Sequence, residues 1–192
     1  MKRDIILNTA LRMFAEKGFA GTSTAALAKE AKVAEGTIFR HFVDKEAIFS
    51  EILSILHQKI CQEFEASVTA ANPETGLDTI AFAVSDFMGF IAENRDYLSI
   101  FFCEAPTRYI EQKSVVFTEI SKIYEYINSF FATQLKRGMA DGSVRNDVNI
   151  ETSTVLMTCS VIGLARARHF GLVSMDNVYV EQLVDNIARS LK

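Results

Sequence analysis

The spacing of apolar residues constrains the fold of this chain more than any other feature. Apolar side chains recur at three- and four-residue intervals along most of the 192 residues, and only two prolines and nine glycines interrupt them. Such intervals place side chains on one face of an α-helix, whereas a half-buried strand needs strict alternation. An apolar fraction of 49% is enough to bury a sizeable core. The sequence therefore predicts an all-α protein.

Several classes of protein are disfavoured by what the chain lacks. No apolar run reaches the roughly 18 residues of a membrane span, and the first helical stretch carries Asp4 and no cleavage site. Cys61, Cys103 and Cys159 are odd in number and lack metal-ligand spacing. His57 and Cys61 could share a helix face, but two residues make neither a zinc site nor a catalytic arrangement. We expect a cytoplasmic protein with reduced cysteines, no metal or cofactor, no membrane contact and no enzymatic activity.

Turn signals divide the helical pattern into about nine helices. Gly18 ends a first helix that starts near Lys2, and Thr22 or Ser23 caps the second. Asp44 caps a fourth helix that extends to about residue 66. The later predicted boundaries are a helix start at Asn72 and Pro73, a bend at 93–96, a stop at Pro106, a long helix over about 107–136, a break at 138–149, and helices over 150–169 and about 177–191.

Three short helices are predicted before residue 43. The second and third are joined by a tight turn from Lys32 to Ala34, and the first packs behind them. This arrangement is a helix-turn-helix, whose second paired helix enters the major groove of DNA. In that helix Ile38 and Phe42 are four residues apart and face the core, so Arg40 and its neighbours project elsewhere.

The charge distribution is compatible with this interpretation. The formal net charge is −4, yet residues 1–50 hold eight Lys and Arg against six Asp and Glu, and residues 51–192 hold twelve against eighteen. The positive surplus is therefore N-terminal and small. A phosphate-contacting surface depends on a few well-placed cations and amides more than on total charge.

The run GFAGTSTAALAKEAKVAEGTIFRHFVDKEAIF resembles the N-terminal domain of the TetR family of transcriptional regulators. A later loop, RGMADGSVRNDVN, resembles the loop that precedes the dimerisation helices of that family. Three positions depart from the family pattern, with Lys32 for a turn glycine, Ala34 for a serine cap and Phe39 for a tyrosine. The matching positions are Gly18, Phe19, Thr22, Leu27, Ala28, Ala31, Val33, Gly36, Thr37, Phe42, Lys45 and Ala47, with Gly138, Gly142 and Arg145 in the later loop.

The resemblance implies a helix-turn-helix DNA-binding domain over residues 1–46 and a helical effector-binding and dimerisation domain over 47–192. It implies a homodimer that binds a palindromic double-stranded DNA operator and acts as a repressor responsive to a small molecule. The alternative is an apolar small-molecule sensor or carrier whose N-terminal module binds protein rather than DNA. Loss of salt-dependent DNA affinity on replacing Arg40 and Lys45 would separate the two.

Candidate DNA-contacting residues surround the second paired helix. Gly36 permits close backbone approach, Thr37 can meet a phosphate or a thymine methyl, and Arg40 can pair with guanine or a phosphate. Glu35 is negative, so it either accepts from cytosine N4 or favours the positive end of its helix. Each residue could instead be an ordinary cap, surface charge or core side chain. The full predicted set is Ser23, Thr24, Glu35, Gly36, Thr37, Phe39, Arg40, His41 and Lys45.

An effector pocket is implied by the resemblance, and the aromatic side chains of the central helices suit an apolar or aromatic ligand. The same spacing is also typical of plain core packing. The predicted lining is His57, Phe87, Tyr97, Phe101, Cys103, Phe117 and Tyr124.

The last two helices are apolar over wide faces that can cover one another only in part. A four-helix interface with a second copy is one solution, and packing within the chain is the other. The predicted interface residues are Met157, Val161, Gly163, Leu164, Leu183 and Ile187.

Overall fold

The computed structural model describes residues 2–70, 72–103, 114–174 and 176–192. These residues form helices and no strand, which confirms the all-α prediction. Within this part of the chain, no helix is long and apolar enough to cross a membrane. The helices are α1 (Lys2–Lys17), α2 (Thr24–Glu30), α3 (Glu35–His41), α4 (Lys45–Ala70), α5 (Gly76–Glu93), α6 (Arg95–Cys103), α7 (Val115–Asp141), α8 (Ile150–His169) and α9 (Asn177–Leu191).

Several predicted helix ends are confirmed by their hydrogen bonds. Gly18 follows α1 with φ of +75°, a conformation that glycine adopts without strain. Asp44 caps α4 by accepting the Ala47 amide at 2.7 Å. Asn149 and Asp176 cap α8 and α9 in the same way. Polar side chains therefore satisfy amides that would otherwise lack partners at these helix starts.

Two predicted boundaries are corrected. The helix expected to begin at Asn72 and Pro73 begins at Gly76. The Thr75 hydroxyl accepts the Asp78 amide at 3.1 Å, and the Asp78 carboxylate accepts the Thr75 amide at 3.2 Å. This reciprocal capping box is a stronger start than a proline alone. Helix α4 continues four residues beyond the predicted end, to Ala70. The predicted stop at Pro106 and the long helix start near residue 107 lie outside the described residues.

The chain divides into two compact units, the first of which comprises residues 1–58 and 94–122. In this unit α1 packs against α2, α3 and α6. Phe14, Phe19 and Phe49 form an aromatic cluster with ring centroids 5.0 to 5.8 Å apart. The predicted inward residues of α1 to α3 are buried, namely Ile6, Ala10, Met13, Phe14, Leu27, Ala28, Ala31, Ile38 and Phe42.

The second unit comprises residues 59–93 and 123–192. Its core is built around Phe64, whose ring contacts those of Phe87, Tyr126, Phe130 and Phe131 at centroid distances of 4.7 to 6.2 Å. Aromatic pairs at this separation add to the stability that burial alone supplies. Helix α5 packs against both α8 and α9 in this unit.

The start of α5 lies directly on the end of α7. A Cβ atom on Gly76 would be 2.3 Å from the Gly138 nitrogen and 2.4 Å from the Gln134 carbonyl oxygen. The Asp141 carboxylate accepts the Gly76 amide at 2.8 Å, and the Ser143 hydroxyl accepts the Leu77 amide at 3.3 Å. Two backbones this close require glycine at the contact.

The RGMADGSVRNDVN loop lies at this contact and is held by hydrogen bonds to neighbouring segments. Arg137 donates to the carbonyl oxygens of Pro73 and Glu74 at 3.0 and 3.1 Å. Gly142 has φ of +81°. Arg145 donates from its amide to the Leu191 carbonyl and from its side chain to the Ser190 carbonyl, which ties the loop to the end of α9. Gly142 and Arg145, which match the family pattern, thus fix the backbone path of this loop.

Candidate nucleic-acid interface

Helices α2 and α3 are connected by a turn that lacks the usual stabilising residues. Ser23, rather than Thr22, caps α2 by accepting the Ala26 amide at 3.1 Å, whereas the buried Thr22 hydroxyl donates to the Gly18 carbonyl. Lys32 has φ of +53° in the turn. Ala34 occupies the cap position of α3 and makes no side-chain cap bond. Both departures from the family pattern therefore have structural consequences.

Helix α3 sorts its seven residues between core and solvent. Ile38 and Phe42, the residue directly after α3, are buried within the first unit, as predicted. Glu35, Gly36, Phe39, Arg40 and His41 are exposed, and we call these five residues the outer face of α3. Thr37 is half-buried. Five of the six predicted DNA-contacting residues of α3 are therefore accessible to a ligand.

Phe39 is half-exposed, with 51% of its surface accessible, although its alternative interpretation was a core residue. An apolar ring in water on a short helix gains nothing from folding. Gly36 lies three residues before Phe39, and a Cβ atom added to it would meet no atom within 4 Å. The fold therefore does not require glycine there, which leaves an external contact as a reason for it.

Thr24 and Glu35 contact each other across the turn. The Thr24 hydroxyl donates to Oε1 of Glu35 at 2.8 Å. The Thr24 hydroxyl proton is therefore engaged within the protein. It cannot at the same time be donated to the DNA backbone, which is the contact predicted for Thr24. This pairing was not predicted, because residues eleven apart in sequence have no fixed spacing across a turn.

Lys45 has an unexpected position. Its ammonium group donates to the carbonyl oxygens of Phe19 and Thr22 at 2.7 and 2.8 Å and lies 4.2 Å from the centre of the Phe19 ring. Lysine has three N–H donors, so two of them stabilise the connection between α1 and α2. The predicted phosphate contact would have to compete with these bonds.

A Lys45→Met variant should lower the free energy of unfolding by about 1–3 kcal/mol, because hydrogen bonds from a charged donor to partly buried carbonyls are lost. Methionine keeps the apolar stem. DNA affinity measured at several salt concentrations should keep its salt dependence. A slope reduced by about one, with unchanged stability, would show instead that Lys45 contacts a phosphate.

An Ala34→Ser variant should raise the free energy of unfolding by about 1 kcal/mol, because the new hydroxyl can accept an unpaired amide in the first turn of α3. Denaturant unfolding of the two proteins measures the difference. Ala34→Val is the control, since valine adopts an extended backbone conformation and supplies no acceptor. A serine variant no more stable than the wild type would contradict a missing cap bond.

The predicted effector residues fall in both units. His57, Tyr97, Phe101, Cys103 and Phe117 belong to the first unit, where Phe101 is buried and Cys103 is exposed. Phe87 and Tyr124 belong to the second.

Phe87 is buried beside Phe64 and stacks on Phe90 at a centroid distance of 5.6 Å, so its ring is a core element. Tyr124 is half-buried, and burial raises the pKa of its hydroxyl. That these residues share one pocket stays a prediction.

Two of the predicted dimer residues are used within the chain. Met157 and Val161 are buried, with 7% and 1% of their surfaces accessible, so their side chains cannot supply a contact area to a second copy. Ile187 faces α5, where it lies with Leu77 and Ile80 around a small gap. Leu164 and Leu183 are half-buried and Gly163 is exposed. The predicted set therefore mixes inward and outward positions.

Large apolar side chains of α8 and α9 outside the predicted interface set are exposed. Leu156 and Val155 are 68% and 51% accessible on α8, and Val178 is 59% accessible on α9. A row of exposed residues with helical spacing follows α8, and we call it the outer row of α8. It consists of Thr152, Leu156, Cys159, Gly163, Arg166 and Phe170.

Cys61, which could share a helix face with His57, does not have the properties of a catalytic cysteine. Burial and the nearby Glu65 carboxylate raise the pKa of the Cys61 thiol, whereas a nucleophilic cysteine needs a lowered pKa. Burial also raises the pKa of Tyr126 to about 12, and its hydroxyl donates to the Cys61 carbonyl at 3.2 Å. Among the described residues, no group of three His, Cys, Asp or Glu side chains could hold a metal ion.

Residues 6–52, which span most of α1, all of α2 and α3 and about the first two turns of α4, match the sequence profile described as "Bacterial regulatory proteins, tetR family". The chain therefore carries the N-terminal DNA-binding domain of the TetR family. It is thus a DNA-binding transcriptional regulator of the helix-turn-helix class, and the family consists of regulators rather than enzymes. The matched segment contains every residue predicted to contact DNA.

Relatives in the TetR family match beyond this segment. The HTH-type transcriptional repressor KstR2 of Rhodococcus jostii is 24% identical over 97% of this chain and 91% of its own length. A tetR-family regulatory protein from Rhodococcus has a TM-score of 0.80 at 19% identity, covering 100% of this chain and 97% of the other. FadR of Bacillus subtilis in complex with stearoyl-CoA has a TM-score of 0.76 at 18% identity, covering 97% and 95%. The fold of these similar proteins therefore extends over the whole length of this chain.

Proposed function

We propose that this protein is a ligand-responsive repressor that binds a palindromic operator as a homodimer. Residues 1–46 act as the DNA-binding domain and residues 47–192 as the effector-binding and dimerisation domain. The observation that carries the proposal is the outer face of α3, which presents a glycine, an arginine and an aromatic ring to solvent above the buried Ile38 and Phe42. Each subunit inserts α3 into a major groove, and the two grooves lie about 34 Å apart.

The outer face of α3 supplies the donors and apolar surface that DNA recognition needs. Arg40 and His41 are exposed at the C-terminal end of the helix, and arginine pairs bidentately with guanine or with a phosphate. Gly36 allows the backbone to approach the DNA. Phe39 offers a ring to a thymine methyl or a sugar, where a tyrosine would also offer a hydroxyl. The exposed Ser23 and the half-buried Thr37 are proposed as further contacts.

Dimerisation is attributed to the outer row of α8 together with exposed residues of α9. Leu156, Phe170 and Val178 are large apolar side chains left accessible by the chain itself. Covering such residues with a second copy removes apolar surface from water, which is the main driving force of association. Gly163, with open space at its Cβ position, permits the two copies of α8 to approach closely.

A Leu156→Asp variant should shift the protein from dimer to monomer at micromolar concentration, because burying an unpaired carboxylate in the interface is costly. Analytical ultracentrifugation measures the dissociation constant. The fold should persist, since Leu156 is exposed within the chain. Val43→Asp, which introduces the same charge at a side chain that is 81% accessible and outside α8 and α9, serves as the control. An unchanged dimer in Leu156→Asp would rule out the outer row of α8 as the interface.

The effector is proposed to be an apolar small molecule or an acyl derivative. A FadR structure similar in fold contains stearoyl-CoA, and the ketosteroid transcriptional regulator KstR2 of Mycobacterium tuberculosis is also similar in fold. The aromatic residues Tyr97, Phe101 and Phe117, all in the first unit, suit ligands of this kind. Binding shifts the equilibrium between two arrangements of the DNA-reading modules, and release follows when the spacing of the modules no longer fits the grooves.

The proposal is tested by selecting genomic DNA fragments with the purified protein and measuring affinity for the enriched sequence as salt is varied. A palindrome bound with salt-dependent affinity is expected. Arg40→Ala should weaken binding by about 1–3 kcal/mol, whereas Lys136→Ala, which removes an exposed cation of α7, should leave it unchanged. Absence of any enriched sequence would favour a sensor or carrier whose N-terminal module binds protein.

A further inference from the structure

The contact between Thr24 and Glu35 places a fixed negative group on the outer face of α3. We infer that Glu35, oriented by Thr24, selects cytosine at one position in each half of the operator. This inference rests on the proposed function, because it requires α3 to lie in the major groove. It assigns a specificity-determining role to Glu35 and a positioning role to Thr24.

The geometry restricts what the carboxylate can do. Glu35 is the first residue of α3 and is exposed, and Thr24 is the first residue of α2 and is half-buried. The Thr24 hydroxyl donates to Oε1 of Glu35 at 2.8 Å, and no other hydrogen bond to this carboxylate occurs within the described residues. Oε2 is therefore available as an acceptor. Because the bond restricts the glutamate rotamers, less entropy is lost when the carboxylate meets a base.

The chemistry of an ionised carboxylate narrows the choice of base. A carboxylate accepts hydrogen bonds and donates none. In the major groove guanine presents two acceptors and thymine presents a carbonyl and a methyl, so either base would leave the carboxylate unpaired and repelled. Adenine presents its amino group beside the N7 acceptor, whereas cytosine presents the N4 amino donor alone. Cytosine is the base that pairs without an opposing acceptor on the same base.

A purely local role for Glu35 does not account for the contact. A negative side chain at a helix start is stabilised by the helix dipole in any rotamer, and it needs no hydroxyl to orient it. In a surface that binds phosphates, a carboxylate lowers affinity for every sequence through charge repulsion. A fixed carboxylate offsets this loss only where a base donates to it. The pair therefore penalises incorrect sequences more than the correct one.

The test is selection from a randomised palindromic DNA library with the full-length protein, followed by affinity measurements on the enriched site. Wild type should enrich cytosine at one symmetric position, and inverting that C·G pair should weaken binding about ten- to a hundredfold. Glu35→Gln should shift the preference at this position to adenine, because glutamine both accepts and donates. Thr24→Val, which keeps the shape and removes the donor, should weaken the cytosine preference without moving it.

Glu30→Gln is the matched control for charge. Glu30 is an exposed glutamate of α2 that pairs with Arg12 at 2.6 Å, away from Thr24. Its replacement should strengthen binding to all sequences alike and leave the base preference unchanged. Circular dichroism should show all variants folded, since Glu30 and Glu35 are exposed and valine keeps the shape of the half-buried Thr24.

Three results would overturn the inference. An enriched palindrome whose base preferences are identical in wild type and Glu35→Gln would leave Glu35 as a surface charge, while the proposed function would stand. A wild-type preference for another base at the position that responds to Glu35 would refute the cytosine assignment alone. Failure of wild type to enrich any site would refute the proposed function and the inference together.

Discussion

A Gly36→Ala variant is expected to fold more stably and to bind its operator more weakly. Glycine inside a helix costs about 0.5–1 kcal/mol relative to alanine, and a Cβ atom at Gly36 would meet nothing within 4 Å. The same methyl group would stand between the α3 backbone and the DNA. We expect a loss of about 1–3 kcal/mol in binding, comparable to one mismatched base pair.

Denaturant unfolding followed by far-ultraviolet circular dichroism measures the first effect, since the chain has no tryptophan. Fluorescence anisotropy with a labelled operator at fixed salt measures the second. Gly89→Ala is a matched control, because Gly89 is also an exposed helical glycine with open space at its Cβ position. The control should gain similar stability and bind DNA normally. Unaltered binding by Gly36→Ala would remove close backbone approach at this position from the proposed recognition.

A Gly76→Ala variant is expected to lower the free energy of unfolding by about 2–4 kcal/mol, which is a large part of the stability of a typical domain. The added methyl carbon would be 2.3 Å from the Gly138 nitrogen and 2.4 Å from the Gln134 oxygen. Both atoms belong to the backbone of α7, so neither can move away cheaply. Thermal and denaturant unfolding measure the loss.

Gly138→Ala provides a graded comparison, because its methyl carbon would meet a side-chain atom of Val144 at 2.5 Å. A valine side chain can shift more easily than a helix backbone, so this variant should lose less stability than Gly76→Ala. Gly89→Ala in the same helix α5 should gain stability. An order in which Gly76→Ala is the least affected of the three would contradict a close contact between α5 and α7.

Local features of the first unit were predictable from sequence because short-range rules govern them. The spacing of Ile38 and Phe42 predicted which face of α3 is buried, and Asp44 predicted the start of α4. The position of Lys45 was not predictable. A long, flexible side chain reaches carbonyl groups more than twenty residues away in sequence, and no spacing rule records such partners. The Thr24 contact with Glu35 escaped prediction for the same reason.

Boundaries and faces in the second unit were harder to predict. Pro73 was a plausible helix start, but the reciprocal bonds of Thr75 and Asp78 place the start after it. Helix α8 is apolar around much of its circumference, so its sequence does not say which side faces α5. Met157 and Val161 were predicted at a dimer interface and are buried within the chain, whereas Leu156 is exposed. Only the packing of neighbouring helices distinguishes these positions.

The connection before α3 has a consequence for how the protein meets DNA. Lys32 holds a left-handed backbone conformation that costs a side-chain-bearing residue about 1–2 kcal/mol, and Ala34 leaves the first amides of α3 without a side-chain acceptor. This helix therefore opens locally at a lower free energy than the core of the first unit, and its amides exchange with solvent sooner. Hydrogen exchange in the free protein should therefore be faster at the amides of α3 than at those of α1, and operator binding should slow it.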